Sequence, residues 1–166
     1  MLLAELQSAP KSAAKSAKAQ LKKHPNAPEI LFASGLIALT LGKVKEARNH
    51  FVRAINTGHA DAPTYMNAAI AEAQLGSPKR ASKLLRLGQG KFPEHAGLTE
   101  TAAKLFHSFQ AYEPAAAAAT QALALAPNRP DLHHLSGLIA EENGQLLAAV
   151  EHYRKAAALS GQTTHY

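Results

Sequence analysis

Two stretches of the chain set small, apolar and polar positions in the same order: GLIALTLGKVKEARNHFVRA at residues 35–54 and GLIAEENGQLLAAVEHYRKA at residues 137–156. Each opens Gly-Leu-Ile-Ala, places a second Gly seven positions on, and sets an aromatic (Phe51, Tyr153) three residues before an alanine. The separation of 102 residues is three periods of 34. A frame counted from Pro28 runs without insertion through blocks 28–61, 62–95, 96–129 and 130–163. Column eight is always small (Gly35, Ala69, Ala103, Gly137), and column fifteen reads Gly42, Gly76, Gln110, Gly144. Column twenty is Ala47, Ala81, Ala115 and Ala149, and column twenty-seven is Ala54, Gly88, Ala122 and Ala156. Column thirty-two is His59, Pro93, Pro127 and Gly161. Run backwards, the frame puts Ala13 in column twenty and Pro25 in column thirty-two, while Gln20 breaks column twenty-seven. Residues 1–27 therefore read as a partial N-terminal repeat, and 164–166 as a short tail.

These columns predict a helical hairpin per block. Small residues at eight and twenty let two antiparallel helices approach closely. Glycine at fifteen ends the first helix with a left-handed residue. Proline near thirty-two stops the second, because it lacks a donor and clashes with the preceding turn. Asn26-Ala-Pro-Glu29 and Asn128-Arg-Pro-Asp131 are expected to supply an Asn N-cap, an early proline and an acidic first turn. One hairpin cannot bury its apolar face alone, so neighbours must stack.

Composition agrees with helix: Leu and Ala dominate, aromatics are few and β-branched residues scarce. The 166 residues suffice for a real core. Absence of Cys excludes disulfides and thiolate metal sites. MLLAELQSAPK has neither the basic start nor the apolar run of a signal peptide, and no apolar stretch approaches a membrane span, so a cytoplasmic location is expected.

The pattern resembles the tetratricopeptide repeat family over nearly the whole chain. It matches in the small column eight, Ala at twenty, a bulky residue at twenty-four (Phe51, Leu85, Tyr153), Ala at twenty-seven and Pro near thirty-two. It departs at column four, aromatic only at Tyr65, at column eleven, which carries Glu72, and at column twenty-four of the third and most degenerate block, Ala119. The resemblance implies an all-α, right-handed solenoid of stacked antiparallel helix pairs with a 34-residue period. Arrays of this kind need a polar cap over the last apolar face. No such helix follows residue 163, so the chain is expected to be a fragment of a longer protein or to self-associate through its C-terminal end.

The resemblance also implies a concave groove lined by the first helices. Carried over by column, its N-terminal half is Glu29, Phe32, Leu36, Leu39, Met66, Asn67, Ile70 and Gln74, largely apolar. Its C-terminal half is Glu100, Lys104, His107, His134, Leu138 and Glu141, polar and mostly acidic. Phe32, Leu36, Met66 and Ile70 would grip an amphipathic helix or an extended apolar segment. The competing reading is that they pack against one another, or against a further domain of the same polypeptide. The clamp by which one subclass holds acidic C-termini of chaperones is not expected, since only Asn67 matches while Phe32, Gly97 and Thr101 stand where Lys and Arg belong.

Charge is uneven along the chain. Residues 1–91 carry 14 Lys/Arg against 5 Asp/Glu, or +9, and residues 92–166 carry 4 against 7, or −3. Lys11, Lys15 and Lys18 share columns with Lys79, Lys83 and Arg86, predicting a basic strip on the convex face. It could meet nucleic acid, an anionic membrane surface or an acidic protein. With no interleaved aromatics, a solvated face is favoured.

Of nine histidines, adjacent His133 and His134 diverge by about 100° on a helix and cannot easily share a metal. The best cluster is His107, His134 and Glu141, with Glu100 nearby; simple hydrogen-bonding surface residues are its favoured reading, ahead of a pH-sensitive contact or a metal site. No nucleophile motif, phosphate-cradling loop or dinucleotide fingerprint is present, and no cofactor or catalytic residue is assigned. The expectation is a non-catalytic scaffold that binds a protein or peptide in its groove. The alternative is the N-terminal repeat region of a larger bacterial enzyme, sulfotransferase- or glycosyltransferase-like, that positions substrate or mediates oligomerisation.

Overall fold

The structure, a computed structural model, describes residues 9–162. Residues 1–8 of the partial repeat, Thr163 and the 164–166 tail lie outside the described residues. Among those described there are nine helices and no strand. They are α1 (Pro10–Lys23), α2 (Pro28–Thr40), α3 (Val44–Asn56), α4 (Ala62–Gln74), α5 (Pro78–Lys91), α6 (Ala96–Ser108), α7 (Tyr112–Leu125), α8 (Pro130–Glu142) and α9 (Leu146–Gln162). From α2 onward each helix begins 34 residues after its counterpart, so the fold is an all-α solenoid of helix pairs with that period. No described helix is long and apolar enough to cross a membrane.

The chain divides into two compact units, residues 1–88 and 89–166. In the first, α1 packs on α2, and α3 on both α2 and α4. In the second, α7 packs on α6 and α8, and α9 on α8.

All four first helices end alike. In α2 the Gly42 N–H donates to Leu39 O at 2.9 Å and the Lys43 N–H reaches back to Ala38 O at 2.8 Å. Ser77 to Glu72, Ala111 to Phe106 and Gln145 to Ala140 repeat the longer bond. This double closure needs a left-handed residue, and Gly42, Gly76 and Gly144 supply it at φ 71°, 70° and 76°. Gln110 is forced into the same conformation at φ 59°, where its Cβ crowds the carbonyl. Gln110→Gly should therefore stabilise the protein by about 0.5–1 kcal/mol. A thermal melt read by circular dichroism checks it, and an unchanged or lowered midpoint counts against strain at this cap.

Columns eight and twenty-four are a matched pair. A Cβ added at Gly35 would lie 2.3 Å from the fully buried Phe51 ring, and one at Gly137 would lie 2.5 Å from the Tyr153 ring. The second block fills these columns with buried Ala69 and Leu85, the third with buried Ala103 and Ala119. Size moves in opposition, so the alanine-rich third block is a smaller solution of one packing problem.

Helix starts differ from expectation. Neither Asn26 nor Asn128 caps, because Pro28 and Pro130 occupy the first helical turn and leave Ala27 and Arg129 at the cap, without a side-chain bond. Asp61 and His95 do cap their helices, accepting from the Thr64 N–H at 3.0 Å and the Leu98 N–H at 3.1 Å. Pro25, Pro93 and Pro127 each fall just beyond a helix end, whereas α9 runs through Gly161, which lacks proline's clash.

Candidate functional site

The first unit presents an apolar face on α2 and α4. Phe32, Leu36 and Leu39 are half-buried and pack on the core cluster of Ala38, Ala47, Phe51 and Ala68. The Phe32 and Phe51 rings sit 5.9 Å apart, tilted by 50°. Met66 and Ile70, also half-buried, follow on α4, while Glu29 and Gln74 are exposed at helix ends. Asn67 is half-buried, and its Nδ2 donates to Pro63 O of its own helix at 2.8 Å. Packing and display coexist here, since the core holds one side of each α2 residue and leaves the other open.

Behind this face lies an ion pair that column eleven hinted at. Glu72, 4% exposed, has Oε1 3.9 Å from Nη1 of Arg48 on α3. One repeat earlier the same columns hold Ala38 and Ala14, and there a cleft of about 450 Å³ opens between α1, α2 and α3. Ile37, Ala38 and Leu41 line it, with Lys15 and Lys18 among its charged residues. Lys11, Lys15 and Lys18 on α1 and Lys79, Lys83 and Arg86 on α5 are all exposed.

The second unit presents a polar face. Glu100 on α6 accepts from Lys104 Nζ at 2.5 Å and lies 3.3 Å from Nη2 of Arg129, which also binds Asp131 through Nε at 2.8 Å. The Arg129 hydrogen bonds hold the Asp131 carboxyl below its ordinary pKa. Arg129 was invisible to column reasoning, because its partners lie 29 and two residues away on different elements.

The histidines do not cluster as expected. His107 Nε2 lies 3.0 Å from Oε2 of Glu142, not Glu141, and is out of line for a hydrogen bond. Glu141 instead accepts the Tyr153 O–H at 2.7 Å, which with burial pushes the phenol up to about 12. His134, exposed, sets its ring 5.6 Å from Tyr153, and Leu138 is half-buried one turn on. Two helices thus send His107 and His134 to different partners. Among the described residues no three His, Asp or Glu side chains converge to hold a metal ion.

His133 points the other way, as helical geometry requires. Its Nε2 donates to Pro127 O at 2.9 Å, which leaves Nδ1 to accept from His152 Nδ1 at 3.3 Å when both rings are neutral. Burial, then the His133 neighbour, lowers the His152 pKa.

What the helices assemble is a repeat array of displayed faces. Residues 130–163 are a tetratricopeptide repeat by match to that family's model, and the chain has the tetratricopeptide-repeat fold. The structure resembles that of MamA at 18% identity and a TM-score of 0.89, over 98% of this chain and 95% of that one. MamA residues 41 to the end from Desulfovibrio magneticus RS-1 superpose with a TM-score of 0.85 at 18% identity, covering 97% and 92%. YrrB, described as a TPR protein with an unusual peptide-binding site, gives 0.78 at 16% identity, over 93% and 80%. No curated protein matches the sequence.

Proposed function

We propose that this protein is a non-catalytic interaction scaffold that docks a polypeptide on the α2–α4 face of its first unit. The observation that carries the reading is the row of half-buried apolar side chains, Phe32, Leu36, Met66 and Ile70, on consecutive first helices. Side chains held on one side by the core cost little to order on binding, so complementarity translates into affinity. Spacing along a helix suits an amphipathic helix or an extended apolar segment as ligand. The likeness to YrrB supports a peptide ligand in kind. The second unit's face, with Glu100, Lys104, His107, His134, Leu138 and Glu141, is proposed as a polar contact surface in its own right.

Phe32 is a poor probe, because Phe32→Glu also strips packing from Phe51. Met66→Glu with Ile70→Glu is cleaner, with Lys79→Glu/Lys83→Glu as control. Partners captured from native lysate by wild type should be lost by the first pair, with affinity falling at least ~100-fold, and kept by the second. Helical content should be unchanged in both. Full capture by a folded Met66/Ile70 variant removes this face, and loss in the lysine variant moves the site to the basic strip.

A further inference from the structure

Column eighteen carries charge in every block but the last: Lys11, Lys45, Lys79 and Glu113, then Leu147. All five side chains are exposed, and Leu147 is 88% exposed, with Leu146 at 65% and Val150 at 47% beside it. Repeat packing does not explain this leucine. Lys45 stays exposed although α4 packs on α3, and Glu113 stays exposed although α8 packs on α7. A further hairpin laid on α9 in the manner of those helices would likewise leave Leu147 in water. Leu147 with Leu146 and Val150 makes a contiguous exposed apolar patch, the kind of surface that marks an interaction site.

The rest of α9 indicates which partner. At about 100° per residue, Leu147, Arg154 and Ala158 fall within about 20° of one line, opposite the buried Ala149 that faces α8. Val150 and Glu151 flank that line. Large apolar side chains stand at its N-terminal end and the small, exposed Ala157 and Ala158 at its C-terminal end. Charge divides the same way, with acidic Glu151 on one side of the midpoint and basic Arg154 on the other. Among the described residues neither is held in an ion pair. Such a surface is complementary to itself when turned end for end.

We infer that α9 is a self-association surface, pairing antiparallel with the α9 of a second copy of this chain about a two-fold axis. With Leu147 set against Ala158 of the partner subunit, Glu151 falls opposite Arg154 of the partner subunit. The two-fold generates each contact twice, as isologous pairing requires. The 17 residues of α9 span about 25 Å, and one helix pair of that length buries less than a standard interface. A reversible dimer with a dissociation constant in the micromolar range is the expected strength.

Sedimentation equilibrium of the whole chain from about 1 µM to about 500 µM tests this. Wild type should pass from monomer to dimer mass. Leu147→Lys, which restores the charge of the other blocks, should remain monomeric at concentrations at least ~10-fold beyond the wild-type midpoint, with unchanged helicity. Glu151→Arg and Arg154→Glu should each weaken the dimer, and the double variant should recover it. Monomer mass for wild type throughout, or an undiminished dimer in Leu147→Lys, overturns the proposal. Failure of the charge swap to recover association overturns the antiparallel register.

Discussion

Gly35→Ala is expected to destabilise the protein by about 2–3 kcal/mol, a large effect for one methyl group. The added Cβ would stand 2.3 Å from the Phe51 ring, far inside any real carbon–carbon contact. That ring is fully buried, so neither partner has open space to move into. Phe51→Leu should be costly in the wild-type background, where it leaves a cavity. Combined with Gly35→Ala it should recover most of the loss, because the second block already packs Ala69 and Leu85 in these columns. Urea unfolding of the four proteins in the cycle measures the coupling, expected at about 2 kcal/mol in favour of the double variant. If the two losses simply add, columns eight and twenty-four are not a matched pair.

Arg48→Ala should cost about 2–3 kcal/mol by a different route. Glu72 is buried within α4, and Arg48 on α3 is the cation placed against it. Removing that cation leaves a carboxylate shielded from water without a counter-charge, which is dearer than the pair was ever worth. The pair itself is long, at 3.9 Å, and Arg48 is part-exposed, so its net contribution is small. Replacing both partners, as Arg48→Met with Glu72→Leu, should therefore match or exceed wild-type stability. Chemical denaturation midpoints decide it. A double variant less stable than Arg48→Ala would show that the ion pair, and not merely its completeness, holds α3 to α4.

Both expectations rest on a distinction between what recurs and what does not. Recurrence was readable from residues alone. The 34-residue period and the left-handed residue at column fifteen are local consequences of side-chain size and backbone sterics, and helix starts at 28, 62, 96 and 130 follow them. Gln110 obeys its column against its own preference, because the closing bond from the Ala111 N–H to Phe106 O needs a left-handed residue there. The apolar character of the α2–α4 face was legible in the same way. Its dual role was not, because half-burial against Phe51 depends on a helix sixteen residues further on.

Single polar contacts escaped the columns for a related reason. Asn26 and Asn128 have the chemistry of caps, but Pro28 and Pro130 in the first helical turn put Ala27 and Arg129 at the cap instead. His107 and His134 share groove columns near Glu141, yet in the fold one faces Glu142 and the other Tyr153. Glu72 stands out in its column, yet nothing in the string says that this carboxylate is buried. By itself the sequence determined the repeat and the hairpins, since these depend on spacing along one chain and on excluded volume. Tertiary structure alone decided the salt links, the histidine partners and the uncovered side of α9. Directional or solvent-dependent interactions are set by distances between elements, and a linear period of 34 carries no record of them.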